Sequence, residues 1–411
     1  ISGVLLIIAS SLAMKQVFWL GFVTAVVAVV VMFFIRRTYA SSLVATLREG
    51  RGEQVLEGGP GLEVMASDAG VIAGLRAATT SESPQERMLG ASLLGRLGAT
   101  EALPAVRSLW TDEDSAVRRA AILADAQLGG ASFEDLAHVA DADEDEAVRA
   151  AAVTAIGDLD GLAEPEIATL ADLASDSSPL VRCEVAVALG RHAQLAPARA
   201  AIDQLVASDR SSERKAGLDA IARLDKVDAA AALEHFHDPS AAVRAAAIRA
   251  AARHDLGDNS AYLACLDDPA REVRTTAAIV IQDLRKAGPA LIEVLHVGSE
   301  QAQEAALVGL DGHAPFVREP LLEWSELQVE RAIGLRAHAL VLSTADDTTT
   351  AAFLGAVIAR REAAIEGRLL QAVATLGAPE ASGMIRRSLK APDAEIRAQA
   401  IEALDALGDP G

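Results

Sequence analysis

Hydrophobic and polar positions fall into two regimes along the chain. From Val17 to Ile35, nineteen consecutive residues carry no charge. At 1.5 Å per residue a helix of that length reaches ~28 Å, close to the ~30 Å hydrocarbon core of a bilayer. Ile1 to Met14 is also apolar, and only Lys15-Gln16 separates the two stretches. Fourteen residues are too few to span, so the first stretch reads as the end of a truncated helix. Together they predict a transmembrane helical hairpin over 1–38, seated in the lipid bilayer. Arg36 and Arg37 directly follow the long span, whereas Lys15 alone marks the turn before it. By the positive-inside bias, everything after Arg37 is expected in the cytoplasm.

A connector follows over 39–66. Tyr39 to Arg48 reads as a helix, and Gly50 to Gly61 holds five glycines and a proline, which mark a break. From residue 67 the pattern becomes helical and repeats. An acidic residue, a gap, a β-branched residue plus Arg, and an Ala-rich apolar run recur. The copies are Asp112 to Arg118, Asp143 to Arg149, Asp176 to Arg182, Asp238 to Arg244 and Asp268 to Arg274. Arg214 marks a weaker copy and Ile396-Arg397 a last one. Arg87 precedes Arg118 by 31 residues, and the following steps are 31, 33, 32, 30 and 30. Such a period signals a solenoid. Each unit reads as two helices. In 141–173, Glu146 to Gly157 forms one, and Pro165 opens a second over Glu166 to Ala174. One hairpin cannot bury its own apolar face, so neighbours must stack, and alanine lets them approach closely. The expected fold is all-α: a solenoid of helical hairpins over 67–411, about ten or eleven units, preceded by the membrane hairpin.

Charge sharpens the division. The chain carries a net charge of −21. Residues 1–50 hold four cations against Glu49, a net of +3, which leaves −24 for the rest. That acidity argues against nucleic acid, whose phosphates need clustered Lys and Arg. It favours a basic partner instead. Cys183 and Cys265, the only cysteines, exclude a disulfide framework and fit small buried hydrophobes.

The pattern Asp-Pro-x-x-x-Val-Arg-x-x-Ala-x-x-Ala resembles HEAT repeats, especially the short ones of phycobilin-lyase-like proteins. The resemblance is strong over 81–285. It fades over 286–370, where Glu304 stands at the Arg position. It implies an armadillo-type superhelix whose Arg side chains ladder onto the Asp of neighbouring units. Each Asp is also placed to cap its helix, accepting backbone N–H groups. Ser208 and Ala391 stand where Asp is expected before Arg214 and Arg397, so the ladder should be interrupted there, with Asp209 a possible substitute at the first. Two apolar spans, Arg-Arg-x-Tyr, a connector and such an array also resemble the C-terminal part of bacterial major-facilitator carriers similar to ATP/ADP translocases. This implies a multi-pass protein of the bacterial inner membrane with a cytoplasmic regulatory or protein-binding solenoid. Its partner is then another protein or a domain of the same chain.

Enzyme chemistry finds little purchase. A feature repeated in every unit is scaffold, whereas an active site would break the repetition. No His is followed by Glu, as a di-iron HEAT-like enzyme needs. His235-x-His237 puts two imidazoles on different faces of a helix, though at a helix end they could converge on a metal. Asp141-Ala-Asp-Glu-Asp-Glu146 lacks the glycine that a calcium loop needs at its sixth position. No catalytic residue, cofactor or metal is therefore expected, and a bilin-lyase-like activity stands as the alternative. The topology has a direct check. A single Cys placed in the 50–61 linker should resist an impermeant thiol reagent in intact cells, and labelling from outside would refute the cytoplasmic placement.

Overall fold

The computed structural model describes residues 69–284, 286–343 and 349–376. The candidate membrane hairpin with Lys15, Arg36 and Arg37, the 39–66 connector and Arg397 lie outside the described residues. Among the described residues every regular element is helical. No helix there is long and apolar enough to cross a membrane. The chain divides into two compact units between Gln194 and Leu195.

In the first unit each outer helix is followed by an inner one. Helix α1 (Ala69–Ala78) precedes α2 (Pro84–Arg96), and α3 (Leu103–Arg107) precedes α4 (Ser115–Gln127). Helix α5 (Phe133–Ala142) precedes α6 (Glu146–Gly157), and α7 (Glu164–Asp172) precedes α8 (Pro179–Arg191). Inner helices α2, α4, α6 and α8 pack side by side in that order, each also against its outer partner. This explains their composition. A helix flanked on three sides has little free face, and α6 buries Val148, Ala150, Ala151, Ala152, Val153, Ala155 and Ile156. The large members supply the driving force, ~1.5–3 kcal/mol for each fully buried Val or Ile. The alanines set the spacing.

The expected helix over Glu146–Gly157 is observed with those bounds. The second begins two residues early, at Glu164, and closes at Asp172 before a tighter turn over Leu173–Ser175. Gly157 does more than end its helix, since a Cβ there would lie 3.1 Å from Ala188 Cβ on α8. The left-handed backbone falls later, at Gly161.

The second unit repeats the scheme. Its outer helices are α9 (Leu195–Val206), α11 (Ala231–Glu234), α13 (Asn259–Ala264) and α15 (Gly288–Val297). Its inner helices are α10 (Ser211–Arg223), α12 (Ala241–Arg253), α14 (Arg271–Asp283) and α16 (Glu300–Gly309). Then the element length changes. Helix α17 (Ala314–Ser343) has 30 residues and α18 (Thr349–Leu376) has 28. The short hairpins expected there are replaced by one long hairpin. No glycine-rich or Asp-x-Ser break interrupts either segment, and Pro320 lies too early in α17 to end it. The stacking rule survives: α17 packs on α15 and α18 on α16. Trp324, fully buried, donates from Nε1 to the Leu295 carbonyl at 2.8 Å and pins α17 to α15.

Two glycines give opposite tests of this packing. A Cβ on Gly95 would sit 2.7 Å from Ala124 Cα, whereas one on Gly74 meets nothing within 4 Å. Gly95→Ala should therefore destabilise by ~1–3 kcal/mol through overpacking. Gly74→Ala should stabilise by up to ~1 kcal/mol through helix propensity alone. Denaturant melts of the two variants distinguish them.

Candidate functional site

Between each outer and inner helix the chain makes the same turn, and the repeated charges are placed in it. Asp112 ends the outer element, and its Oδ1 accepts the Asp114 N–H at 3.0 Å. The same two-residue turn forms at Asp143, Asp176, Asp238 and Asp268, with Oδ1 accepting at 2.9, 2.7, 2.8 and 2.8 Å. These aspartates are not the helix caps expected of them. The cap lies two residues further on. Asp114 accepts from Ala116 and Val117, Asp145 from Ala147 and Val148, and Ser178 from Leu180. The repeated Asp shapes the turn that delivers the cap, an Asx turn rather than an N-cap.

The repeated Arg enters one turn inside the inner helix and holds two things. Its Nη1 reaches back to the carbonyls five and six residues earlier. Arg118 donates to Asp112 O at 2.9 Å, Arg149 to Asp143 O at 3.0 Å and Arg182 to Asp176 O at 2.7 Å. Arg244 and Arg274 each do the same to Asp238 O and Asp268 O, both at 2.8 Å. The rest of the guanidinium points to the next repeat. In the first unit Arg87 grips Asp112 through Nε and Nη2 at 2.7 and 2.8 Å, and Arg118 grips Asp143 at 2.9 and 2.9 Å. Arg149 holds Asp176 at 2.9 and 3.0 Å. In the second unit Arg214 holds Asp238 at 2.7 and 3.0 Å, and Arg244 holds Asp268 at 2.7 and 2.7 Å. Each is a bidentate fork, the strongest geometry for this ion pair. Both partners are largely shielded from water; Arg118 and Asp143 side chains are 9% and 13% exposed.

Electrostatics follows the geometry. The Arg87 fork holds the Asp112 carboxyl below the usual range. At Asp176, Asp238 and Asp268 burial pushes upward, but the paired Arg149, Arg214 and Arg244 and the turn N–H outweigh it, so these also titrate low. The partner arginines are displaced upward by the same bonds, against desolvation.

Ser208 keeps the turn without the charge: its Oγ accepts the Arg210 N–H at 3.1 Å. At the end of the second ladder Gln303, not Glu304, takes the Arg place. Its amide donates to Gly298 O, five residues back, at 3.2 Å, and the cap Ser299 precedes it by four residues, as caps precede the arginines. Val297 then stands at the Asp position and is exposed. The register slip by one residue explains why the spacing alone pointed to Glu304.

Histidines join the scaffold as well. His192 Nε2 lies 3.1 Å from Ile156 O, His254 Nε2 2.9 Å from Ile221 O, and His313 Nε2 3.0 Å from Ile281 O. Each links the end of one inner helix to the preceding inner helix. His235 turns to Asp238, with Nδ1 3.3 Å from Oδ2, while His237 is exposed. Among the described residues no three His, Cys, Asp or Glu side chains are grouped to hold a metal. Cys183 and Cys265 are buried thiols outside any disulfide, and burial pushes the Cys265 thiol up to about 11. Asp125 was not legible in the sequence as special. It is fully buried in α4, neither oxygen has a hydrogen-bond partner among the described residues, and Arg107 Nε lies 3.3 Å away. Burial raises its pKa despite Arg107.

Residues 72–157 and 133–222 match the family model of HEAT repeats. Residues 72–222 thus match HEAT repeats, and the hairpins and ladder of the second unit repeat the same helical scheme. No curated protein matches it in sequence. Among solved structures it is similar to Kap95 in the Kap95:Nup1 complex, at 14% identity and TM-score 0.40, over 82% of this chain and 57% of that one. It is also similar to Kap121p bound to Pho4p, at 13% identity and TM-score 0.37, over 81% and 43%. Human deoxyhypusine hydroxylase is similar at 17% identity and TM-score 0.28, over 60% and 96%. The chain thus spans about half the length of the first two.

The ladder yields two measurements. Arg149→Ala strands Asp176 and two turn carbonyls in a shielded place, and should cost ~3 kcal/mol. Arg210→Ala, on a side chain 77% exposed, should stay within ~0.5 kcal/mol. The low-titrating aspartates contribute stability that is complete above ~4, their unfolded range, and lost as pH falls through their folded values. Asp125, displaced the other way, contributes stability that fades as pH rises. Acid melts of Asp176→Asn should therefore show a shallower loss of stability below ~4 than the parent chain.

Proposed function

We propose that the chain is a non-catalytic HEAT-repeat scaffold that binds a basic segment of another protein or of its own chain. The observation that carries this is a groove in the second unit. It encloses about 680 Å³ beside α9, α10 and α11. Buried Ile202, Val206 and Ile221 line it, and exposed Asp203, Asp209, Asp228 and Glu234 rim it. The ladder charges are used inside the scaffold, whereas these carboxylates face solvent, Asp203 and Asp228 sharing Arg199 at 3.6 and 3.0 Å. An apolar lining under an acidic rim suits a peptide that offers Lys or Arg around one or two apolar side chains, and its field speeds encounter at low salt. The repeated Arg and Asp are accounted for by turn and ladder bonds, which leaves them no catalytic role.

The placement of this scaffold is a finer proposal. The uncharged Val17–Ile35 stretch and Arg36-Arg37 support a cytoplasmic module attached to a multi-pass membrane carrier. The supporting features are those of residues 1–38.

The test uses the full chain as bait against native membrane and cytosol fractions at two salt concentrations. A specific partner should be captured at low salt. Asp209→Lys with Glu234→Lys, both at exposed positions, should cut capture at least ~10-fold with unchanged melting. Undiminished capture by the double variant would remove the groove from the function. Absence of any partner, together with covalent attachment or turnover of a small molecule such as a bilin, would replace the scaffold by an enzyme.

A further inference from the structure

We infer that the second unit carries a binding site for a small phosphate-bearing anion, formed where the long hairpin meets the start of α16. A cavity of about 390 Å³ opens there. The first turn of α16 contributes Glu300 and Gln303, and α17 contributes Gln328, Arg331 and His338. Arg361, Ile365 and Arg368 come from α18. The spacings 328, 331, 335, 338 and 361, 365, 368 put each set on one helix face.

Arg368 is the central observation. It is only 4% exposed, and its Nε and Nη1 have no hydrogen-bond partner among the described residues. Glu300 Oε2 lies 4.0 Å from Nη1, beyond hydrogen-bond reach. Elsewhere in this protein an arginine of similar burial is well partnered: Arg118 makes four hydrogen bonds, to both Asp143 oxygens, Asp112 O and Glu113 O. A buried guanidinium without such partners is costly to keep, and its planar fork matches an oxyanion.

The surroundings select the ligand. Arg331 and Arg361 are exposed at the mouth. With Arg368 they bring three positive charges, against Glu300 as the one acidic residue among the described lining residues, in a chain whose net charge is −21. The N-terminus of the ten-residue α16 adds its positive dipole end. Three arginines lining one cavity suit a phosphate dianion better than a single carboxylate. The cavity exceeds a lone phosphate, and small-molecule sites begin near ~300 Å³. Leu335 and Ile365 supply an apolar wall for the remainder of the ligand, and Glu300 can accept from a hydroxyl or amine.

This site is independent of the acidic groove and stands or falls separately. Calorimetric titration of the full chain with inorganic phosphate, pyrophosphate and succinate, at matched ionic strength, tests it. Pyrophosphate and phosphate should bind saturably and raise the melting temperature, with succinate weaker. Arg368→Met should weaken pyrophosphate about 10–100-fold, the loss expected for charged hydrogen bonds. The ligand-free melting temperature of that variant should equal or exceed the parent's, because an unpaired buried charge is gone. Arg331→Gln, at the exposed mouth, should weaken binding with melting unchanged, and it decides the matter if Arg368→Met does not fold. No saturable binding of either phosphate probe up to about 10 mM would overturn the inference. So would equal affinity in both variants, a melting loss in Arg368→Met without an affinity change, or a preference for succinate.

Discussion

A bidentate fork between an arginine and the aspartate of the next repeat is the bond on which each unit depends. Its effect is larger than that of an isolated ion pair because each member holds backbone as well as charge. Arg149 fixes the turn of its own repeat through Asp143 O and Glu144 O, then closes on Asp176. Asp176 in turn organises the Ser178 N–H, and Ser178 caps α8 at Leu180. One side chain thereby couples the turn before α6 to the start of α8. Without that coupling the turns would carry several unsatisfied polar groups at the edge of a dry core, each a cost of ~1–3 kcal/mol.

The alanine content follows from the same geometry. A fork of 2.7–3.0 Å at one end of the inner helices requires those helices to run close together along their length. Helix α12 meets the requirement with Ala245, Ala246, Ala247, Ala250 and Ala251, all at 0% exposure, alongside buried Val243 and Ile248. Where a β-carbon is already too much, glycine stands, as at Gly217, whose Cβ would fall 2.6 Å from Val206 Cγ2. The histidines then tie the far ends of the inner helices to a neighbouring carbonyl. Charge at one end, methyl groups along the middle and imidazole at the other end set the spacing of one repeat on the next.

Much of this scaffold was legible because it repeats. Period, Arg and the Ala run predict the inner helices closely, as Glu146–Gly157 shows. The role of the aspartate was less legible. Asp six residues before Arg is compatible with a cap and with a turn, and only the backbone path, which puts Asp114 and Asp145 at the cap, separates the two. Glu304 was misassigned for a related reason: a one-residue slip in the loop is invisible to a period that already varies between 30 and 33. The long hairpin escaped because length has no local signature when no breaker residue intervenes. Arg331, Arg361 and Arg368 escaped too. They come from two helices, and no short motif contains them.

The difference between ladder arginines and Arg368 is the physical distinction between scaffold and site. Burial is similar in both. In the ladder the forked guanidiniums of Arg87, Arg118, Arg149, Arg214 and Arg244 are each matched by a carboxylate and by carbonyls of fixed geometry, so the interaction is complete within the fold. Removing one member leaves a stranded charge. At Arg368 the fold supplies enclosure, two further cations and a helix N-terminus, but among the described residues no matching anion within hydrogen-bond reach. Folding alone gives no reason to concentrate like charges around a dry guanidinium, because each added arginine raises the cost of the others. An anion that enters the cavity turns those same repulsions into attractions. The site is therefore destabilising as built and stabilising when filled. That sign change separates a recognition pocket from one more turn of an ionic ladder.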